Sequence, residues 1–446
     1  MFSIAPSRLL RSISPQLLAL SLGLVACAPP TPPPDTPTPG SDSEAGQSVQ
    51  ESSKSLKIGT LLPLTGDLAQ YGGPMQDGAM LALEQINQCG GVQGQPLALV
   101  TEDSQTEPSR GAAAMTKLAE VDRVFGVVGA ASSAISTAAV DIAVRNQILQ
   151  ISPASTSPVF TERAKAGDFN GFWARTAPSD ALQGPALAQV ARDRGLQRVA
   201  VIAINNDYGN GLATAFIEAF TAQGGTITNT GEPVLYAPDA VTFEAEVGKA
   251  FADQPDAVVL VAYPETGSLV LKAAYSQGYL GQTQLLFTDG MKSNEIAALV
   301  GQNTAGEYLI AGAIGTAAQS GGPGLEAFLT AYRDRFDRDP QVYDPNTYDA
   351  VVLLALAAQF SGGAGTGLDP EALKTHLATV ANAPGEPIAD LCDALDLAAA
   401  GTDLDYQGAS SSLDLNLWGD VAGNYEVWEV DETGAIESLE VITVQE

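Results

Sequence analysis

The chain holds one histidine (His376) and only three cysteines (Cys27, Cys89 and Cys392) in 446 residues. Zinc sites of the common kinds need several such residues at close spacing, so no metal centre is expected. Basic side chains are scarce as well: 21 Lys and Arg stand against 52 Asp and Glu, giving a net charge of −31 with no basic stripe. Such a chain repels a phosphate backbone, which excludes nucleic acid as its partner. Beyond the N-terminal region no stretch reaches the ~18 uninterrupted apolar residues of a spanning helix, and the nearest is Val351 to Phe360. Catalytic signatures are missing too. There is no Gly-x-Ser-x-Gly elbow, His376 is the one histidine open to a triad, and Gly209-Asn210-Gly211 lacks the third glycine of a dinucleotide loop, Thr214 standing in its place. Neither enzymatic activity nor a cofactor is expected.

What is present is a large apolar fraction, 45%, punctuated by 45 Gly and 27 Pro, which implies two or three compact units built from short elements and tight turns. The first 26 residues have Arg8 and Arg11 ahead of an apolar stretch from Leu17 to Ala26, flanked like an export signal. That stretch ends in Leu24-Val25-Ala26-Cys27, which resembles a bacterial lipobox whose Cys27 is lipidated. Residues 27–54 then read as a tether, with seven prolines between residues 28 and 40 and a Ser/Glu/Gln-rich run after them, a composition that favours extended backbone over a core. The expectation is a lipid-anchored body outside the cytoplasmic membrane. An oxidising compartment allows Cys89 and Cys392 to form a disulfide, two buried free thiols being the alternative.

From Leu56 apolar strand-like runs alternate with helix-period segments. Strands are expected at 56–62, 96–101, 124–128 and 148–151, with helices at 74–88, 108–120 and 133–145. After Arg175-Thr176-Ala177-Pro178 the rhythm restarts, with strands at 199–204, 257–262 and 284–287 and helices at 211–223 and 267–277. A further strand is expected at 308–314, and residues 406–444 alternate like antiparallel strands. The fold class is therefore α/β, with two parallel sheets wrapped by helices.

Open α/β sheets bind ligands just beyond the carboxyl ends of their strands. Here those loops read Gly129-Ala130-Ala131-Ser132-Ser133, Ser152-Pro153-Ala154-Ser155-Thr156, Asn206-Asp207-Tyr208-Gly209, Tyr263-Pro264-Glu265-Thr266 and Thr288-Asp289-Gly290. Hydroxyls and free N–H groups at a helix start suit a small carboxylate, an aspartate suits an ammonium, and tyrosines can wall a side chain. Together they describe a site for a zwitterion. Each residue also has a plainer reading: Ser133 as a cap, Thr156 and Asp289 in turns, Tyr263 at a core edge.

The fragments LKIGTLLPLTGDLAQYGGPMQDGAMLALEQIN, GVVGAASS, ILQISPAST, NNDYGNGL and VAYPETG, in this order, make the chain similar to the Leu/Ile/Val-binding proteins of bacterial ABC importers. The resemblance implies a type I periplasmic binding protein: two Rossmann-like lobes joined by a three-stranded hinge, with lobe 1 at 55–176 plus 309–417 and lobe 2 at 177–308 plus 418–446. It implies that Ser133, the Ala154 backbone and Thr156 take a ligand carboxylate, that Tyr263 and Asp289 hold its amino group, and that Tyr71 and Tyr208 complete the pocket. The best-known leucine-binding members have Glu where this chain has Asp289, one methylene longer. The implied role is that of a monomeric subunit delivering a neutral, aliphatic amino acid to an ABC permease and its ATPases. The alternative is a binding or sensor protein for amides, urea-like or other small carboxylate compounds.

Overall fold

The computed structural model describes residues 55–362 and 368–444; the export signal, Cys27 and the tether lie outside the described residues. Five parallel strands form the first sheet, in the order Leu97–Asp103, Leu56–Leu62, Gly126–Gly129, Leu149–Ser152 and Trp173–Arg175. The second sheet runs Ile436–Thr443, Asn424–Val430, Ile314–Ala318, Gln284–Phe287, Ala257–Val261, Arg198–Ile204 and Thr226–Ile227, with Val234–Tyr236 also paired to Arg198–Ile204. Its closing hairpin is antiparallel and the rest parallel. Strands such as Gly126–Gly129, Leu149–Ser152 and Ala257–Val261 are buried at every position, as expected where helices cover both faces.

The run Val351 to Phe360 belongs to the helix Asp344–Phe360, in which residues 344 to 358 are all buried. From Ala350 to Ala358 it is apolar all round and must be enclosed, and this helix is the axis of the first half, packed against Ala69–Gln88, Pro370–Ala381 and Leu391–Ala399. No helix among the described residues is long and apolar enough to cross a membrane. Cys89, at the end of Ala69–Gln88, and Cys392, in Leu391–Ala399, are joined in a disulfide with Cα atoms 5.1 Å apart.

One boundary differs from the expected lobes. The strand after Tyr308 begins only at Ile314, following a turn that buries Ile310, and it pairs with both Gln284–Phe287 and Asn424–Val430. The start of the segment assigned to lobe 1, 309–318, therefore belongs to the second sheet, and the chain crosses back after Ala318. Three of the five residues in Ile-Gly-Thr-Ala-Ala are Gly or Ala, which are depleted in strands, whereas Tyr-Leu-Ile just before it consists of large apolar residues and draws the strand assignment forward.

The three passages between the halves lie side by side. Arg175 N–H donates to the Gly419 carbonyl at 2.9 Å, and Gln319 N–H to that of Asn424 at 2.9 Å. The Arg175 guanidinium, fully buried, donates to Asp420 at 2.7 Å and to the carbonyls of Ser155 and Ser157 at 3.1 and 3.0 Å. Thr161 Oγ1 accepts from it as well, at 2.9 Å, and a buried guanidinium needs such a set of acceptors. The same bonds fix the Ser152–Ser157 loop against the hinge.

Candidate functional site

Between the halves lies a cavity of about 30 Å³, walled by Leu68, Tyr71, Met75, Ala131, Ser132, Ser133, Ala154, Tyr208, Tyr263, Asp289, Gly290 and Tyr343. Loops at the carboxyl ends of both sheets build it. On the first side, the helix Ser133–Arg145 begins at the cavity, its positive end and first N–H groups facing whatever binds there. A buried serine cluster shapes this wall: Ser152 donates to Ala130 O at 2.6 Å, and Ser155 donates to Ala130 O and Ala131 O at 3.1 Å each. Ser133 Oγ accepts from Ser157 N–H at 3.2 Å, binding the two loops together beside Ala154.

On the second side, Tyr208 sits in the first turn of Asp207–Ala222 and stacks on Tyr263, centroids 5.4 Å apart. Asp289 follows the strand Gln284–Phe287 and is 3% exposed. Its carboxylate accepts from the Tyr208 hydroxyl at 2.9 Å and the Tyr343 hydroxyl at 2.6 Å. Gly290 permits this packing, because a Cβ there would lie 2.6 Å from Ala262 O and 2.8 Å from the Tyr208 hydroxyl.

Several bonds cross directly from one half to the other. Tyr71 donates to Gly290 O at 3.1 Å, Ser132 and Tyr263 share a hydrogen bond of 3.0 Å, and Ser157 donates to Asp207 O at 2.8 Å. This is a closed arrangement of the two halves.

Burial dominates the electrostatics. It raises the Asp289 carboxyl above the usual carboxylate range, an effect that the Tyr343 and Tyr208 hydroxyls partly offset. Burial and the Asp289 charge push the Tyr71, Tyr208 and Tyr343 phenols well up, so they remain protonated donors. None of the lining residues is Lys or Arg. The cavity therefore offers a helix start and hydroxyls on one wall and an uncompensated acid on the other. A group bearing both charges satisfies both walls.

Of the residues singled out in the sequence, Ser133, Ala154, Tyr263, Asp289, Tyr71 and Tyr208 line this cavity. Thr156 does not. Its hydroxyl donates to Asp180 Oδ2 at 2.9 Å, and its carbonyl accepts from Asp180 N–H at 2.8 Å. Asp180 opens the helix Asp180–Asp193 and is fully buried with no partner for Oδ1; burial, reinforced by the Asp289 charge, raises it strongly. Ser132 lies in a loop that the sequence pointed to, although no role was assigned to it, whereas Tyr343 and Met75 were not found by sequence reasoning. Tyr343 precedes a helix rather than following a strand, and it reaches the cavity through a left-handed backbone (φ 73°), an uncommon conformation for an aromatic residue. Met75 carries the helix-face pattern of ordinary core.

Comparison with known proteins agrees with this architecture. The family model for periplasmic binding proteins matches residues 55–393. The chain belongs to the periplasmic binding proteins, in the Leu/Ile/Val-binding family. The Leu/Ile/Val-binding protein homolog 1 of Brucella abortus is 31% identical over 68% of this chain and 78% of its own length. The chemotactic signal transduction system substrate-binding protein BasB of Halobacterium salinarum is 28% identical over 87% of this chain and 89% of its own. Among solved structures, the leucine binding protein LivK of Thermotoga maritima superposes with a TM-score of 0.72 at 24% identity, covering 87% of this chain and 99% of that one. The type I periplasmic binding fold and an extracytoplasmic setting come with the family.

Proposed function

We propose that this periplasmic binding protein captures a neutral, aliphatic L-amino acid between its two halves and delivers it, from a lipid anchor at Cys27, to an ABC permease. The observation that carries the reading is the opposition of the Ser132–Ser133 helix start and the buried Asp289 across one cavity without a lining cation. A zwitterion's carboxylate pairs with the former and its ammonium with the latter, and a ligand lacking either group leaves a buried polar group unpaired. Leu68, Met75 and the tyrosines provide an apolar surround for an aliphatic side chain. The names of the Brucella and Thermotoga proteins point to the same ligand class. In this reading Thr156 acts one step back from the ligand, through Asp180, and no covalent chemistry takes place.

Calorimetric titration of residues 55–446 tests the reading with leucine, its des-amino acid 4-methylpentanoate and its descarboxy amine 3-methylbutylamine. Binding of leucine alone is expected; equal binding of either analogue overturns it. The Halobacterium relative's name favours a second reading, presentation of the ligand to a signalling partner. Amino-acid uptake lost on deletion of the gene supports delivery to a permease, whereas chemotaxis lost with uptake intact supports signalling.

A further inference from the structure

The loop between Leu56–Leu62 and Ala69–Gln88 carries an acid, Asp67, that is not part of the cavity wall. It reaches across to the other half of the molecule. Its Oδ1 accepts from the Thr266 N–H at 2.9 Å and its Oδ2 from the Thr266 hydroxyl at 2.9 Å. Thr266 is the third residue of the helix Pro264–Ser276, where a free N–H normally takes its bond from the side chain of the capping residue. The residue at that capping position is Tyr263, which makes no such bond and instead turns its hydroxyl to Ser132. The helix of one half is thus capped by a carboxylate from the other.

Both partners are also held by bonds within their own halves. Asp103 accepts from Thr65 N–H at 3.2 Å and from the Thr65 hydroxyl at 2.6 Å, while Leu68 N–H donates to Thr106 Oγ1 at 3.1 Å. Gly66, at φ 91°, makes the turn between them, and a Cβ there would fall 2.2 Å from Gln105 O. On the far side the Thr266 hydroxyl also bonds the Tyr236 hydroxyl at 3.2 Å. A preset acceptor facing a preset donor pair loses little freedom when the two meet.

We propose that Asp67 is a latch: it caps the helix Pro264–Ser276 only when the halves are together, and so prolongs retention of a ligand it does not touch. The latch rests on the capture reading above, because it acts on the closed form that encloses the ligand. A ligand's apparent affinity scales with the stability of the conformation that holds it. Loss of a helix cap should weaken binding roughly tenfold, with the change mainly in the dissociation rate.

The test is a double-mutant cycle on leucine binding by the full chain, with Asp67→Ala, Thr266→Val and the pair together, each followed by calorimetry and stopped-flow dissociation. Asp67→Ala should weaken binding roughly tenfold through faster release, Thr266→Val should do so less because its N–H persists, and the pair should be no weaker than Asp67→Ala alone. Asp67→Asn, which keeps an acceptor for the N–H, should fall between wild type and Asp67→Ala, and it carries the test if the alanine variant does not fold. Wild-type binding with unchanged release in the folded Asp67 variants overturns the latch alone. A wild-type chain that binds no amino acid overturns the capture reading and the latch with it.

Discussion

Replacing Asp289 with Asn removes one charge from the cavity while nearly preserving its shape. The side chain is 3% exposed, the lining holds no Lys or Arg, and its hydrogen bonds come from neutral phenols, so its charge is available to pair with a ligand ammonium. Leaving a buried charge without its partner costs about 2 to 5 kcal/mol, which is a loss of roughly 30-fold to several-thousand-fold in affinity for leucine. Asn is preferable to Ala, because Ala would also orphan the hydroxyls of Tyr208 and Tyr343. Acid should mimic the substitution. Burial raises the Asp289 carboxyl, so a proton competes with the ammonium, and wild-type affinity should decline as pH falls. The Asn variant should lack that component of the pH dependence. Calorimetry at several pH values reads both effects, with circular dichroism confirming the fold. A folded Asp289→Asn chain that binds leucine within twofold of wild type refutes the pairing.

Other outcomes follow from single contacts. Tyr263→Phe and Ser132→Ala each remove the same 3.0 Å bond between the halves, so each should weaken leucine binding by about 0.5 to 1.5 kcal/mol, and calorimetry on the double variant should show less than the sum. Replacing Cys89 and Cys392 by Ser frees two elements 303 residues apart in sequence and should lower stability by about 2 to 5 kcal/mol in denaturant titrations; an unchanged midpoint contradicts this. Burial pushes the Asp344 carboxyl up to about 7 from an unfolded value of 3.8. The folded state then holds the proton more tightly, so this contribution is complete below the unfolded value and is lost as pH rises through about 7. Stability should fall between about pH 4 and 8 by on the order of 2 to 4 kcal/mol from this group, and Asp344→Asn should flatten that slope in thermal unfolding.

Strand positions with short, dense apolar runs were legible from the sequence, Leu56–Leu62, Ala257–Val261 and Gln284–Phe287 among them, and so was the helix Ser133–Arg145. From these the α/β class and the strand-end loops followed, because ligand sites in such sheets lie beyond the carboxyl ends. Ala69–Gln88 starts five residues before Pro74, the residue taken as its first turn. A proline marks a helix start only as a preference, and the buried Tyr71 and Gly72 outweigh it here. The return crossover after Ala318 was hidden because two Ala and a Gly in that strand owe their place to packing partners, Gly315 against Trp428 for one. In the cavity, residues on strand-end loops were found, whereas Tyr343 comes from a left-handed turn at the foot of a helix and announces itself by no local pattern. The placement of Thr156 against Asp180 was equally hidden, since it depends on a helix that begins 24 residues later.

A crystal structure of residues 55–446 grown with leucine tests the central claim most directly. The ligand carboxylate should lie within hydrogen-bonding distance of Ser133 and the Ala154 backbone, and its ammonium against Asp289. A leucine bound in the reverse orientation, or a cavity from which it is absent at saturating concentration, would contradict the account.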